Sequence, residues 1–189
     1  MTVQEPTAAE RTVARRAAEA RATVPELEMA VTAALAPGPG TATLVRACAL
    51  ALAEHPRANA AYRDGHFELY SRVNVGVVVA TEESYLIPTV FDADRKSEEE
   101  LAGELEGLTA GVREGRLPSP AFSGATFTVW DARPHGIAAA SIPVVPPQAA
   151  ALAAGTTSLT LSCDHRILYG SAAASFLKAI ADHLDRHGV

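Results

Sequence analysis

A chain of 189 residues, 48% hydrophobic and 20% charged, carries enough apolar side chain for one self-sufficient core and needs no disulfide or metal staple. Its formal net charge of −6 excludes a general nucleic-acid or polyanion binder, so any cations that meet a phosphate must be placed locally. Two cysteines, Cys48 and Cys163, lie in apolar periodic segments without metal or redox spacing, which predicts a reducing, cytoplasmic setting. Apolar runs such as Ala47 to Ala53 and Val75 to Ala80 are too short to cross a membrane.

Residues 1–6 read as a flexible N-terminal arm, leaving 7–189 as a single domain. Thr7 followed by Glu10 has the pattern of a capping box and predicts a helix to Thr23. Alternating Leu27, Met29 and Val31 predict a strand from Glu26 to Leu35, broken by Ala36-Pro37-Gly38-Pro39-Gly40. Thr41 to Glu54 is apolar around most of its girth and predicts a buried helix. Strand patterns follow at His66 to Tyr70, Val73 to Thr81 and Tyr85 to Phe91. Asp92, Asp94, Arg95 and Lys96 suit a solvated turn, and Ser97 caps a helix from Glu98 to Glu114 whose acidic first turn matches the helix dipole. Strands at Ala125 to Trp130, Ala149 to Ala154 and Ser158 to Cys163 precede a last helix, Ser171 to Arg186. This order predicts an α+β domain, a mixed sheet with helices on one side.

The run from Leu161 to Gly170 leaves a strand and delivers His165 into a tight turn ahead of that last helix. An imidazole titrates near neutrality and can take a proton from a thiol or alcohol. By residue type alone, a hydrogen-bonded structural histidine is the commoner outcome. His55, His66, His135, His183 and His187 are scattered, and only His183 and His187 have ligand spacing on one helix face, at an end that reads as solvated. No metal is expected.

Asp164-His165-Arg166-Ile167-Leu168-Tyr169-Gly170 resembles the D-H-R-x-x-D-G signature of the 2-oxo acid dehydrogenase acyltransferase (E2) catalytic domains, relatives of chloramphenicol acetyltransferase. Further stretches resemble the same family in order along the chain. They are Arg11 to Pro25, the turn His55-Pro56-Arg57-Ala58-Asn59-Ala60, Val73-Asn74-Val75-Gly76, Ile87 to Val90 with Asp92 to Ser97, Gly124 to Val129, and Pro146-Pro147-Gln148-Ala149. The resemblance implies a chloramphenicol acetyltransferase-like, two-layer mixed sheet with helices that forms trimers. It also exposes departures. The family's extra helix after the first strand and its long hairpin before the histidine strand are reduced to short loops. The lipoyl and subunit-binding domains are not expected, because Lys96 and Lys178 lie at or in predicted helices, and the family's hydrophobic C-terminal extension is not expected either.

In the resembled family the histidine deprotonates the acceptor, and a hydroxyl from the neighbouring subunit stabilises the tetrahedral oxyanion. His165 matches the base, while Tyr169 stands where the family has an arginine-fixing Asp. The residue after Phe127-Thr128-Val129, where the family has its oxyanion Ser, is Trp130. Its indole N–H, or a hydroxyl of Thr126, Thr128 or Ser162, is a candidate replacement donor. Arg15 and Arg16 fall on a helix that in the family lies near the coenzyme A nucleotide. The resemblance therefore implies a stand-alone acyltransferase moving an acetyl or short acyl group from acetyl-CoA or another acyl thioester, free or on an acyl carrier protein, to a small-molecule hydroxyl. Specialised metabolism of the tetronate or polyketide type is the implied context, with no bound cofactor and a homotrimeric assembly. The rival readings are a cyclase or lyase on the same scaffold, with Trp130 stacking on an unsaturated substrate, and a non-catalytic trimeric scaffold.

Overall fold

The computed structural model describes residues 4–32, 40–81 and 84–187. The ends of the chain and most of the expected Pro-Gly break lie outside them, as does the continuation of the first strand to Leu35. The first half runs α1 (Ala8–Thr23), β1 (Glu26–Thr32), α2 (Thr41–Glu54), β2 (Ala60–Arg63), β3 (His66–Leu69), β4 (Val75–Val77), β5 (Val79–Ala80), β6 (Tyr85–Leu86) and β7 (Thr89–Val90). The second half runs α3 (Glu98–Arg113), β8 (Phe127–Asp131), β9 (Ala150–Ala154), β10 (Ser158–Asp164) and α4 (Gly170–His187). Thr7 and Ser97 both close reciprocal capping boxes, with Glu10 and Glu100, so both helices start where their side chains can satisfy the free N–H groups.

Six strands form one sheet in the order β1-β10-β9-β8-β4-β7. It is mixed, as expected: β4 with β8 and β8 with β9 are parallel, and the other pairs are antiparallel. The period of two sorts the side chains. Leu159, Leu161 and Cys163 of β10, Leu152 of β9, and Phe127 and Val129 of β8 belong to the core formed with α2, α3 and α4. Phe127 meets Phe176 of α4 edge-on at 5.8 Å, and α2 is buried on nearly every side because nearly every side is apolar. Three helices thus cover one face of the sheet. The fourth, α1, lies elsewhere: it faces Thr128 and Trp130, which alternate onto the opposite face of β8.

Three further details differ from the sequence expectation. Val73 to Thr81 is not one strand but β4 and then β5, which leaves the main sheet to pair with β6 as a separate ribbon. Tyr85 to Phe91 is likewise cut between β6 and β7 at Pro88, which has no N–H for a ladder, although its carbonyl accepts from the Val77 N–H. The unexpected strand β2 pairs with β3 across Asp64-Gly65, whose positive φ angles of 49° and 80° are those of a tight hairpin turn. The expected solvated turn is tied down as well: Asp92 accepts from Arg72 Nε at 2.6 Å, and its own N–H donates to Asn74 Oδ1 at 3.0 Å. His183 is 5% exposed and sits 3.1 Å from Glu54 Oε1, so it is a packed contact between α4 and α2 and not a solvated helix end.

Candidate active site

The loop carrying His165 is held from both sides. The His165 N–H donates to Pro25 O, the Asp164 N–H to Ala149 O, and the N–H groups of Ile167 and Leu168 both to Asp164 O, all at 2.8 to 2.9 Å. Asp164 is 2% exposed, and its carboxylate receives Arg166 Nε at 2.9 Å, Arg166 Nη2 at 2.6 Å and the Arg166 N–H at 3.0 Å. That guanidinium then lies 4.8 Å over the Tyr62 ring, while Arg57 donates to Ile167 O at 3.1 Å and stacks 4.1 Å over Phe67. Main chain and arginines therefore fix the turn, and His165 itself remains exposed. Tyr169, 54% exposed, packs edge-on against the imidazole at 6.3 Å and lies 5.8 Å from the Arg57 guanidinium. An aromatic ring thus stands between the imidazole and the Arg57 guanidinium. Arg57, Tyr62 and Phe67 had no functional signal in their spacing; the Asp64-Gly65 turn that brings Phe67 back over Arg57 was the one available cue.

The residues expected on the oxyanion side form a second group. Between α1 and the far face of the sheet lies a cavity of about 970 Å³, bordered by Thr128, Trp130 and Arg16. The candidate hydroxyls are largely committed. Thr128 Oγ1 donates to Gln148 Oε1 at 2.8 Å, and Thr126 Oγ1 donates to Asn74 O at 3.2 Å while accepting the Asn74 N–H. Ser162 Oγ is buried without a hydrogen-bond partner and does not border the cavity. The indole of Trp130 does border it. Arg15 and Arg16 do not act as a pair: Arg16 turns to the cavity, whereas Arg15 lies 3.8 Å from Glu19 on the solvated side of the helix.

The strand register separates the two groups. Cys163 pairs with Ala150, whereas Trp130 pairs with Ala153 further along the same strand. His165 lies two residues beyond Cys163 in the opposite direction. At about 3.3 Å per residue, the histidine and the tryptophan of one chain stand roughly 15 Å apart along the strands. The two candidate residues of one copy therefore lie well apart along the strands.

The Asp131 carboxylate next to Trp130 is paired. Burial pushes the Asp131 carboxyl up, but Arg133, donating from Nε and Nη2 at 2.7 Å each, and Thr41 Oγ1 at 2.8 Å outweigh it and hold the group below its ordinary value of 3.8. A carboxylate lowered in the folded state adds stability above its unfolded value and loses it as pH falls through its folded one. Asp131→Asn should therefore melt below the parent protein at pH 6, with the gap closing as the pH is taken below 3.8 in a thermal unfolding series. The thiols are not nucleophiles: burial, with Asp164 and Glu26 nearby, pushes Cys163 up to about 11, and burial pushes Cys48 up as well. Among the described residues no group of His, Cys, Asp and Glu could hold a metal ion, and no helix is long and apolar enough to cross a membrane.

Residues 16–188 match the family model of the 2-oxoacid dehydrogenases acyltransferase (catalytic domain). The dihydrolipoyllysine-residue acetyltransferase component 3 of the mitochondrial pyruvate dehydrogenase complex of Arabidopsis thaliana is 34% identical over 162 residues, covering 75% of this chain and 30% of that protein. The chain thus spans less than a third of that relative. The crystal structure of a probable dihydrolipoamide acetyltransferase from Listeria monocytogenes superposes with a TM-score of 0.93 at 23% identity, over 98% of this chain and 95% of the other. A chloramphenicol acetyltransferase superposes with a TM-score of 0.58 at 14% identity, over 90% and 94% of the two chains, so the expected fold is the observed one. With the sequence match spanning nearly the whole of the domain that holds both residue groups, the chain belongs to the 2-oxoacid dehydrogenase acyltransferase family, as a catalytic domain of that type.

Proposed function

We propose that this domain moves an acetyl or short acyl group from a thioester, acetyl-CoA or an acyl carrier protein, to a small-molecule hydroxyl, with His165 as general base and each site shared between two copies of a homotrimer. The observation that carries this reading is an exposed imidazole on a rigid loop, well separated in its own chain from the oxyanion-side cavity. His165 takes the acceptor's O–H proton as the oxygen attacks the thioester carbonyl. The negative charge gathers on the former carbonyl oxygen, where the Trp130 indole N–H of the adjoining copy donates a hydrogen bond. Collapse re-forms the C=O bond and breaks the C–S bond, and the leaving thiolate recovers the proton from the imidazolium. Tyr169 positions the imidazole. The free, buried Cys48 and Cys163 support a cytoplasmic setting, and the apolar wall at Trp130, which suits a carbon-rich acceptor, supports a role in specialised metabolism of the tetronate or polyketide type.

Incubation with acetyl-CoA and a panel of alcohols, following free thiol, tests the reading. Acceptor-dependent thiol release that His165→Ala abolishes supports it. A lack of thiol release with every acceptor, together with no thermal stabilisation by coenzyme A and a monomer in solution, overturns it.

A further inference from the structure

The cavity beside Trp130 has a composition of its own. The stripe of α1 that faces it, Ala8, Thr12 and Arg16 with Val13, Ala17 and Ala20 one turn over, follows the three- and four-residue spacing of one helix side. Three of those six are alanines, whose short side chains leave space in front of the helix. Across from it are Trp130 and, from the β5–β6 ribbon and the loops before β8 and β9, Tyr85, Ile87, Phe122, Ile142 and Val145. No carboxylate borders the cavity among the described residues, and Arg16 is the one permanently charged side chain there. At about 970 Å³ it sits at the top of the range of about 300–1,000 Å³ for sites that enclose drug-sized molecules, far beyond what an acetyl group fills. A single cation also does not match the several phosphate charges of coenzyme A, whereas it matches one anionic oxygen group.

We propose that this cavity is the acceptor pocket, and that it takes a carbon-rich molecule bearing one anionic oxygen group, with Arg16 on the charge and the Trp130 indole against the apolar body. The assignment rests on the acyl-transfer reading only for the word acceptor; the binding chemistry stands on the lining itself. Burial of each additional methylene in such walls strengthens binding about fourfold. The charge on Arg16 adds roughly tenfold or more for a carboxylate over the matching alcohol, the range of a hydrogen bond to a charged group.

Trp130 is the chain's only tryptophan, so its emission reports this cavity and no other place. Titration of the full chain with acetate, hexanoate, octanoate and decanoate below their micelle concentrations should shift that emission, with affinity rising about fourfold per methylene. Arg16→Glu should weaken decanoate about tenfold or more and leave decanol unchanged, while Arg15→Glu, on the other side of the helix, should alter neither. Ala17→Phe fills the space and should weaken both ligands; if that variant does not fold, the two arginine variants decide. Equal response to acetate and decanoate, or equal effects of Arg15→Glu and Arg16→Glu, overturns the assignment. Displacement of decanoate by 3′,5′-adenosine bisphosphate overturns it too, because the donor would then own the cavity. Thiol release from acetyl-CoA with no chain-length dependence sinks the pocket alone, and chain-length-dependent binding with no thiol release upholds the pocket while sinking acyl transfer.

Discussion

His165→Ala should lower acceptor-dependent thiol release by about 100- to 10,000-fold, the range of a lost general base, and Trp130→Ala should lower it by about 100- to 1,000-fold, the range of a lost oxyanion donor. Unfolding and refolding the two variants together should then restore activity that neither shows alone. The reason is the register of β8, β9 and β10, which puts the two side chains of one chain toward opposite ends of the sheet. If each site takes its base from one copy and its indole from the next, a random equal mixture gives both intact groups to about a quarter of the sites, so recovery approaches about 25% of the parent rate. Neither substitution endangers the fold: His165 is exposed, and Trp130 is only half-buried at the cavity edge. Absence of recovery in mixtures shown by size to contain both variants would remove the shared site. In the alternative, where one copy is self-sufficient, the mixture gives no more than the sum of its parts.

How far the residues alone could carry this picture differs between its two halves. Element types and most boundaries were legible, because they depend on local chemistry: Thr7 and Ser97 cap helices with their own side chains, and Leu159, Leu161 and Cys163 alternate onto the core. The breaks at Val78 and Pro88 were not, although Pro88 lacks the donor that a continuous strand requires. Strand β2 escaped because Ala60 and Ala61 carry little strand preference, and the cue lay in the turn after them. In the candidate site, the D-H-R run marked His165, the proposed base. What surrounds it is set by residues about a hundred positions away: Arg57 reaches Ile167, and Tyr62 receives Arg166. Such contacts leave no periodic trace. Nor could spacing show that Arg15 and Arg16, adjacent in sequence, point to different surroundings about 100° apart around a helix.

Gly155→Ala has the largest expected effect on stability, and it acts through the same side of the sheet as the cavity. A methyl group at this glycine would lie 2.2 Å from Ala138 O and 2.6 Å from Ala138 C, both backbone atoms, so no side chain can swing aside to admit it. Around that contact, the Thr156 N–H donates to Ile137 O, while the Thr157 N–H and the hydroxyls of Thr157 and Ser158 all converge on Ala138 O. The β9–β10 turn thus pins the chain from Ile137 onward. A few residues later that segment supplies Ile142 and Val145 to the cavity, and it anchors again where the Val144 N–H donates to Glu26 Oε1 at 2.7 Å. Overpacking against a rigid neighbour costs about 3 kcal/mol, the upper part of its usual range. In a domain of this size that lowers the midpoint of thermal unfolding by about 6–12 °C. Because the displaced segment walls the cavity, the Trp130 emission should move toward that of a solvated indole well below the unfolding transition. Gly136→Ala separates backbone strain from crowding, since Gly136 has open space for a methyl group but a positive φ of 68°. It should destabilise by about 1 kcal/mol, the cost of a left-handed residue, and leave the emission unchanged. Equal losses in the two variants, read by thermal unfolding and by tryptophan emission, would show that the close approach of Gly155 to Ala138 does not hold the cavity wall.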